Sequence, residues 1–335
     1  VGRLHADAAL ASPGVRVSAV CDLVPDTAEK VASGHRAEVF TDHRDLIASG
    51  LVDAVVVNTP HALHTGIVVD AAAAGLHVLV EKPMATTVED CETMERACEE
   101  AGVVLFVGHI QHFLPPMLAA KAALDAGLIG PLLMVDDRRG TDYRPGARPA
   151  WFFNPALSGG GAFINIGAHC VDRLLWLTGR RAVAVSATAA HREAHPVETD
   201  ALARIELDRG VVGHISVTSA GLPSHDELVL VAERGAIKVS RTSGAVLHHY
   251  SGPQAGVPVT LAPASVDDVP QAFRHQLTAF GAAIRGEQAP AVPAAHGRHV
   301  VEVLRAAYRS FEGGGCVRLD AALAAAEPEG GWGES

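Results

Sequence analysis

The chain of 335 residues has no excess of positive charge: 27 Lys and Arg stand against 38 Asp and Glu, a formal net charge of −11. That balance supplies no basic field for a phosphate backbone, so nucleic acid is not an expected partner, although a local basic pocket for a small anion stays compatible with it. Paired cysteines are also missing. The five thiols, Cys21, Cys91, Cys98, Cys170 and Cys316, are scattered and form no CxxC motif, a pattern of buried thiols in a reducing compartment rather than of a disulfide frame. No apolar run reaches the length of a membrane span, and the N-terminus has no signal-peptide pattern; a cytoplasmic protein without a membrane partner is expected. The 18 histidines include no HExxH or comparable ligand spacing, so no metal site is expected. What is present, 48% hydrophobic and 19% charged residues over this length, suffices for two globular domains with substantial cores.

The first half alternates strand and helix patterns. An alanine-rich helix over 4–11 is followed by an alternating strand over 15–21 that ends at Asp22. Asp22 lies about twenty residues after Gly2, the spacing of the last glycine of GxGxxG from the ribose-binding acid in a dinucleotide-binding βαβ unit. On that reading the first strand and two glycines are absent from the sequence. Helices over 26–34 and 42–49, a short strand over 38–40 and the apolar strand over 54–57 follow. The latter runs into Asn58-Thr59-Pro60-His61, where His61 is either a loop residue or a wall of a cofactor crevice, and His64 helps start a helix over 63–74. The run His77-Val78-Leu79-Val80 drives straight into Glu81-Lys82-Pro83. In an open parallel sheet a strand's carboxyl end faces the ligand crevice, so Lys82 is either delivered there or is an ordinary surface lysine. Thr87-Val88-Glu89-Asp90 reads as a helix start, Gly102 as its stop, and a further strand over 103–107 completes a doubly wound parallel sheet.

After Gln111 the rhythm changes. A helix over 115–126 and a strand over 132–138 lead to a polar stretch, Arg138 to Pro145, containing Tyr143 and Arg144; Trp151 and the run Gly159-Gly160-Gly161 follow, where bare backbone permits close approach to a ligand. If 162–177 is helical, Asn165, His169, Asp172 and Trp176 share one face of an otherwise apolar helix. Such a stripe either satisfies itself, with Asp172 partnering the histidine, or lines a ligand cavity. Strands near 182–190, 201–207, 211–219, 227–232 and 236–240 imply an antiparallel sheet; helices near 270–285 and 295–311 and a strand at 316–319 close the fold.

Asp22, Asn58 through His64, Glu81-Lys82-Pro83, Gly130-Pro131 and Gly159 through Asp172 together resemble the Gfo/Idh/MocA family of sugar and inositol oxidoreductases, over most of the chain and in the right order. The resemblance implies an α/β protein: an N-terminal Rossmann domain (1–110), then a C-terminal α/β domain with a large, mainly antiparallel open sheet (111–326); the Gly- and Glu-rich tail (327–335) is expected to be disordered from its composition. It implies NAD held by Gly2, Arg3, Leu4, Asp22, Asn58, Thr59, Pro60, His61, His64, Glu81 and Lys82; Asp22 disfavours the 2′-phosphate of NADP. It implies a substrate site with Lys82 and His169 catalytic and Asn165, Asp172, His109, Gln111, His112, Trp151, Tyr143 and Arg144 around them. It also implies a homodimer or homotetramer formed through the C-terminal sheet. Two departures stand out: Asn165 occupies a position where inositol-type members resemble Asp-x-x-x-His, so it binds rather than titrates, and His112 replaces the arginine of many members.

The expected activity is therefore NAD-dependent hydride transfer at a secondary alcohol or ketone of a sugar, cyclitol or sugar derivative. His169, with an ordinary pKa near neutrality, is the expected base and Lys82 the stabiliser of alkoxide charge or proton relay. An NAD-dependent glycosidase using transient oxidation, or a non-catalytic NAD-binding protein, remain alternatives.

Overall fold

The computed structural model describes residues 1–143, 145–192, 195–219 and 224–319; Arg144 and the segment 327–335 lie outside the described residues. Helix α1 (Gly2–Leu10) opens the chain, followed by β1 (Ala19–Cys21), α2 (Pro25–Ala32), β2 (Glu38–Phe40), α3 (His43–Ala48), β3 (Ala54–Val57), α4 (His64–Ala73), β4 (His77–Glu81), α5 (Val88–Ala101) and β5 (Leu105–Gly108). Strands β3, β4 and β5 form one parallel ladder and β1 and β2 another. Between β1 and β3 no ladder joins the two blocks among the described residues. β4 is central, its Val78, Leu79 and Val80 fully buried, because helices cover both faces of a parallel sheet and leave no solvent side to alternate with. Local signals explain the punctuation around it. Thr87 caps α5 by accepting from the Asp90 amide at 3.1 Å, and Gly102 ends that helix in the left-handed region at φ 66°.

The second half continues with α6 (Pro115–Asp125), β6 (Leu132–Thr141), α7 (Pro155–Ser158), α8 (Ala168–Thr178), β7 (Ala182–Ala190), β8 (Asp200–Leu207), β9 (Val212–Ser219), β10 (His225–Ala232), β11 (Gly235–Ser240), β12 (Gly244–His249), β13 (Val259–Ala262), α9 (Asp268–Ile284), α10 (Ala294–Gly313) and β14 (Val317–Arg318). Nine of these strands make one sheet in the order β13-β12-β11-β10-β6-β9-β8-β7-β14. It is mixed rather than purely antiparallel, because β6 and β9 run parallel. The chain crosses from β6 to β7 through α8, and the two reversals β7-β8-β9 bring β9 back into the gap alongside β6. Strands β12 and β13 are not foreseen in the sequence, whose short apolar runs there are broken by glycine and proline.

One face of the large sheet packs on α6, α8 and α10, with β8 burying Ala201, Ala203, Ile205 and Leu207 while Leu202 stands 60% exposed on the other side. The last helices return to the first unit: Phe273, Leu277 and Phe280 of α9, with Val301 of α10, share a core with β4 and β5. The outer edge of β5 is covered where the Val107 amide donates to the Val292 carbonyl at 3.1 Å.

α8 is fixed to the sheet by buried charge. Arg173, with no solvent exposure, makes a bidentate pair with Asp137 of β6 and donates through Nη1 to Asp226 of β10 at 2.7 Å; Asp226 also pairs with Arg139 at 3.0 Å. Both carboxylates are left short of a partner if the guanidinium goes. Arg173→Met is expected to destabilise the protein by about 3–5 kcal/mol, read by equilibrium urea unfolding, and a loss under about 1 kcal/mol would contradict the account of this network.

Candidate active site

Lys82 stands at the carboxyl end of β4, next to a carboxylate that the fold buries. Glu81 is 7% exposed; its Oε1 accepts from His5 Nε2 of α1 at 2.8 Å and its Oε2 from the Lys82 amide at 3.2 Å. Gly108 of the neighbouring strand gives it room: a Cβ there would lie a tight 3.1 Å from the Glu81 side chain. Burial alone would raise the Glu81 pKa, but the hydrogen bond and charge of His5, with Lys82, hold it below its ordinary value. The Lys82–Pro83 peptide is cis. The Lys82 ammonium then crosses to the second half of the chain, where Nζ donates to Asn165 Oδ1 at 3.0 Å and to the Asn165 carbonyl at 3.1 Å. Burial lowers the Lys82 pKa to about 8, against the pull of Glu81 and helped by the positive charges of Arg139 and Arg148.

Asn165 does not sit on an ordinary α-helix. Residues Phe163–Gly167 form a π-helical turn that precedes α8, so the even face expected over 162–177 is displaced at its start. The polar stripe is nonetheless kept on one side: Asn165 meets Lys82, His169 follows, and Asp172 lies deeper. The glycine run before this turn makes its close approaches to protein. A Cβ on Gly160 would fall 2.1 Å from the Tyr308 hydroxyl, and one on Gly161 2.1 Å from the Glu198 carbonyl. Glu198 pins the turn by accepting from the Gly161 and Phe163 amides and from Tyr308 at 2.6 Å.

His169 is half-buried, and its Nδ1 has no hydrogen-bond partner. Burial, with the charges of Lys82, Arg139 and His109, holds its pKa well below the ordinary histidine value, and Asp172 opposes this without winning. Asp172 itself has no exposure and lies among three imidazoles: His112 Nε2 at 2.8 Å, His296 Nε2 at 2.7 Å and, more loosely, His109 Nδ1 at 3.5 Å. Trp176, one turn further along α8, stacks on His112 with centroids 4.2 Å apart. Gln111 is buried beside this layer with its Oε1 unpartnered.

The remaining wall comes from the loops. His61 is buried, donates through Nδ1 to the Ser158 carbonyl at 2.8 Å and meets Trp151 edge-on at 4.9 Å; burial and then Lys82 pull its pKa down to about 3. His64 is clamped between the carbonyls of Met84 and Thr59, at 3.1 and 3.0 Å. Tyr143 is fully buried, with its hydroxyl donating to the Phe152 carbonyl at 3.3 Å; burial raises its pKa, against a hydrogen bond with Asn165.

Residues expected to hold a dinucleotide lie at the strand ends of the first unit. Asp22 follows β1 and its Oδ1 accepts from the Val24 amide at 2.9 Å. The open start of α1 meets the β3 loop, where a Cβ on Gly2 would lie 3.6 Å from Asn58 Nδ2. Thr59 Oγ1 is buried without a partner, an orphan that a bound nucleotide would satisfy. Pro60 starts the turn carrying His61. Arg3 points away to Asp7 at 3.6 Å and Leu4 is 42% exposed, so neither joins the group around Lys82. Sequence reading misses His5, Arg139 and His296. Each reaches the site from a distant element, and no local spacing marks it.

A parallel α/β unit that presents a strand-end lysine to a polar helix of a second, sheet-bearing unit defines a two-part Rossmann oxidoreductase fold. Residues 1–109 match the model of the GFO/IDH/MocA oxidoreductase family with its NAD-binding Rossmann fold, and residues 117–238 match the GFO/IDH/MocA C-terminal domain. The chain belongs to this family. It is 34% identical over 180 residues to the rhizopine catabolism protein MocA of Rhizobium meliloti, a match covering 54% of this chain and 55% of that protein, so the chain spans about half the length of such a relative. With scyllo-inositol 2-dehydrogenase (NAD(+)) of Bacillus subtilis it shares 28% identity over 96% of this chain and 94% of that protein. Among solved structures, GenD2 from gentamicin A biosynthesis in complex with NAD superposes with a TM-score of 0.85 at 26% identity, over 96% of this chain and 93% of that one.

The Lys82–Asn165 contact can be tested apart from any reaction. Asn165→Ala removes one acceptor from the ammonium, and the midpoint at which Lys82 reacts with an amine-specific reagent is expected to fall by about one pH unit, followed by mass spectrometry of the labelled peptide. An unmoved midpoint would contradict the assignment.

Proposed function

We propose that this chain transfers a hydride between NAD and a secondary alcohol or ketone of a sugar, cyclitol or sugar derivative, with Lys82 as the proton-transfer group. The observation that carries this reading is the half-buried Lys82 ammonium, lowered to a pKa of about 8 and held by Asn165 across the two halves of the chain. Bound nicotinamide supplies the hydride acceptor or donor. Asp22 would take the ribose hydroxyls and disfavour the 2′-phosphate of NADP, while Gly2, Asn58 and Thr59 border the dinucleotide. Arg3 and Leu4 would serve through their backbone alone.

A proton must leave the substrate hydroxyl as the hydride departs. Proton transfer is most effective when the group's pKa lies near the working pH, which favours Lys82 over His169. The expectation of His169 as base rests on the ordinary imidazole value, and burial among cations removes that basis. As a neutral imidazole His169 can still hydrogen-bond the hydroxyl and orient it. Asn165 keeps the lysine pointed at the same oxygen. Trp151, Tyr143 and His61 form the adjoining wall, and Tyr143 supports it through the Phe152 carbonyl.

The division of the chain near residue 110 into cofactor and substrate units, and a cytoplasmic location, belong to the same reading. Among the described residues no helix is long and apolar enough to cross a membrane. The exposed face of the nine-stranded sheet, with Leu202 at 60% and Leu133 at 51% exposure, is proposed as the contact of a homodimer or homotetramer.

Because Lys82 must be neutral to accept a proton, kcat/KM for alcohol oxidation is expected to fall about tenfold per pH unit below about 8 and to level off above it. Lys82→Met should lower it by about 10²–10⁴-fold. His169→Gln should reduce the rate without removing the inflection. A flat profile through this range, or wild-type turnover in Lys82→Met, would overturn the role of Lys82.

A further inference from the structure

His112, Asp172 and His296 come from the turn Ile110–Phe113, from α8 and from the first turn of α10, 60 and 124 residues apart in sequence, yet their donor atoms all lie within 4.8 Å of one another. We propose that these three residues bind a divalent transition-metal ion of the zinc class. Two imidazoles and one carboxylate are the donor set such ions prefer, whereas Mg²⁺ and Ca²⁺ favour all-oxygen shells.

Ordinary hydrogen bonding explains only part of the cluster. Both short contacts fall on Asp172 Oδ1, and Oδ2 of the same fully buried carboxylate has no partner. His109, also without exposure, has neither ring nitrogen hydrogen-bonded, and its Nδ1 is 3.5 Å from that oxygen. Three unsatisfied buried polar atoms in one layer are costly unless a ligand answers them. His109 is not one of the three donors; its Nδ1 faces the other carboxylate oxygen, Oδ2, at 3.5 Å.

The geometry is close to what a tetrahedral ion requires. Bonds of about 2.0–2.1 Å place donor atoms roughly 3.3 Å apart, so the contacts of 2.7 and 2.8 Å must open by about half an ångström. His296 can provide that movement, because its side chain is 18% exposed at the start of a helix. His112 is the fixed member, its ring plane set by the stack on Trp176. Asp172 lies about one helical turn from His169 on α8.

The inference does not depend on the hydride-transfer reading, since metal binding is measured without NAD or substrate. Full-length protein stripped by a chelator is titrated with Co²⁺. One equivalent should bind, with the visible ligand-field absorption of a tetrahedral site, and Zn²⁺ should displace it and raise the thermal midpoint. His296→Ala and His112→Gln, folded by circular dichroism, should each weaken Co²⁺ binding by more than about tenfold, and His169→Ala should retain it. Absence of stoichiometric Co²⁺ binding by the wild-type chain, or undiminished binding in His296→Ala, would overturn the proposal.

Discussion

The site depends on one charge that the fold takes partly out of water. Lys82 ends a strand whose preceding residues are wholly buried, and its ammonium is answered by a single residue, Asn165, from the other half of the chain. That contact fixes where the two halves meet. An ammonium with an amide partner and nearby Arg139 and Arg148 is easier to deprotonate than one paired with a carboxylate. An aspartate in place of Asn165 would pull the lysine the other way.

Much of the surrounding structure can be understood as protection of that arrangement. Glu81 acts on Lys82 through its charge, while its carboxylate is hydrogen-bonded to His5 of α1 and to the Lys82 amide. Glu198 and Tyr308 hold the glycine-rich turn so that Asn165 enters from a π-helical start rather than a regular one. The pairs of Arg173 with Asp137 and Asp226 neutralise charge between α8 and the sheet. The helix carrying Asn165, His169 and Asp172 is thereby locked in register with β6 and β10.

Legibility in the sequence followed the range of the interactions. Strand β4, its polar end, the capping residue Thr87 and the stop at Gly102 are local signals, and each appears where the pattern places it. The grouping of Asn165, His169 and Asp172 is also local, a matter of helical spacing that survives the displaced first turn. What was not legible is non-local. The parallel pairing of β6 with β9 is set by the path of the whole second half, and His5 and His296 join their partners only through tertiary packing. The depressed pKa of His169 likewise depends on which cations the fold brings near it, which residue type alone does not show.

The proposed role of Lys82, held by Asn165, is proton transfer in NAD-linked oxidation of an alcohol. Its most direct test is to follow NADH absorbance while the full-length protein is offered NAD with a panel of cyclitols, aldoses and sugar acids. The account predicts NADH formation with at least one member of the panel, with deuterium at the oxidised carbon recovered on the nicotinamide. Turnover of a glycoside without any transfer of that deuterium to NAD, or no reaction across the panel by protein that binds NAD, would contradict it.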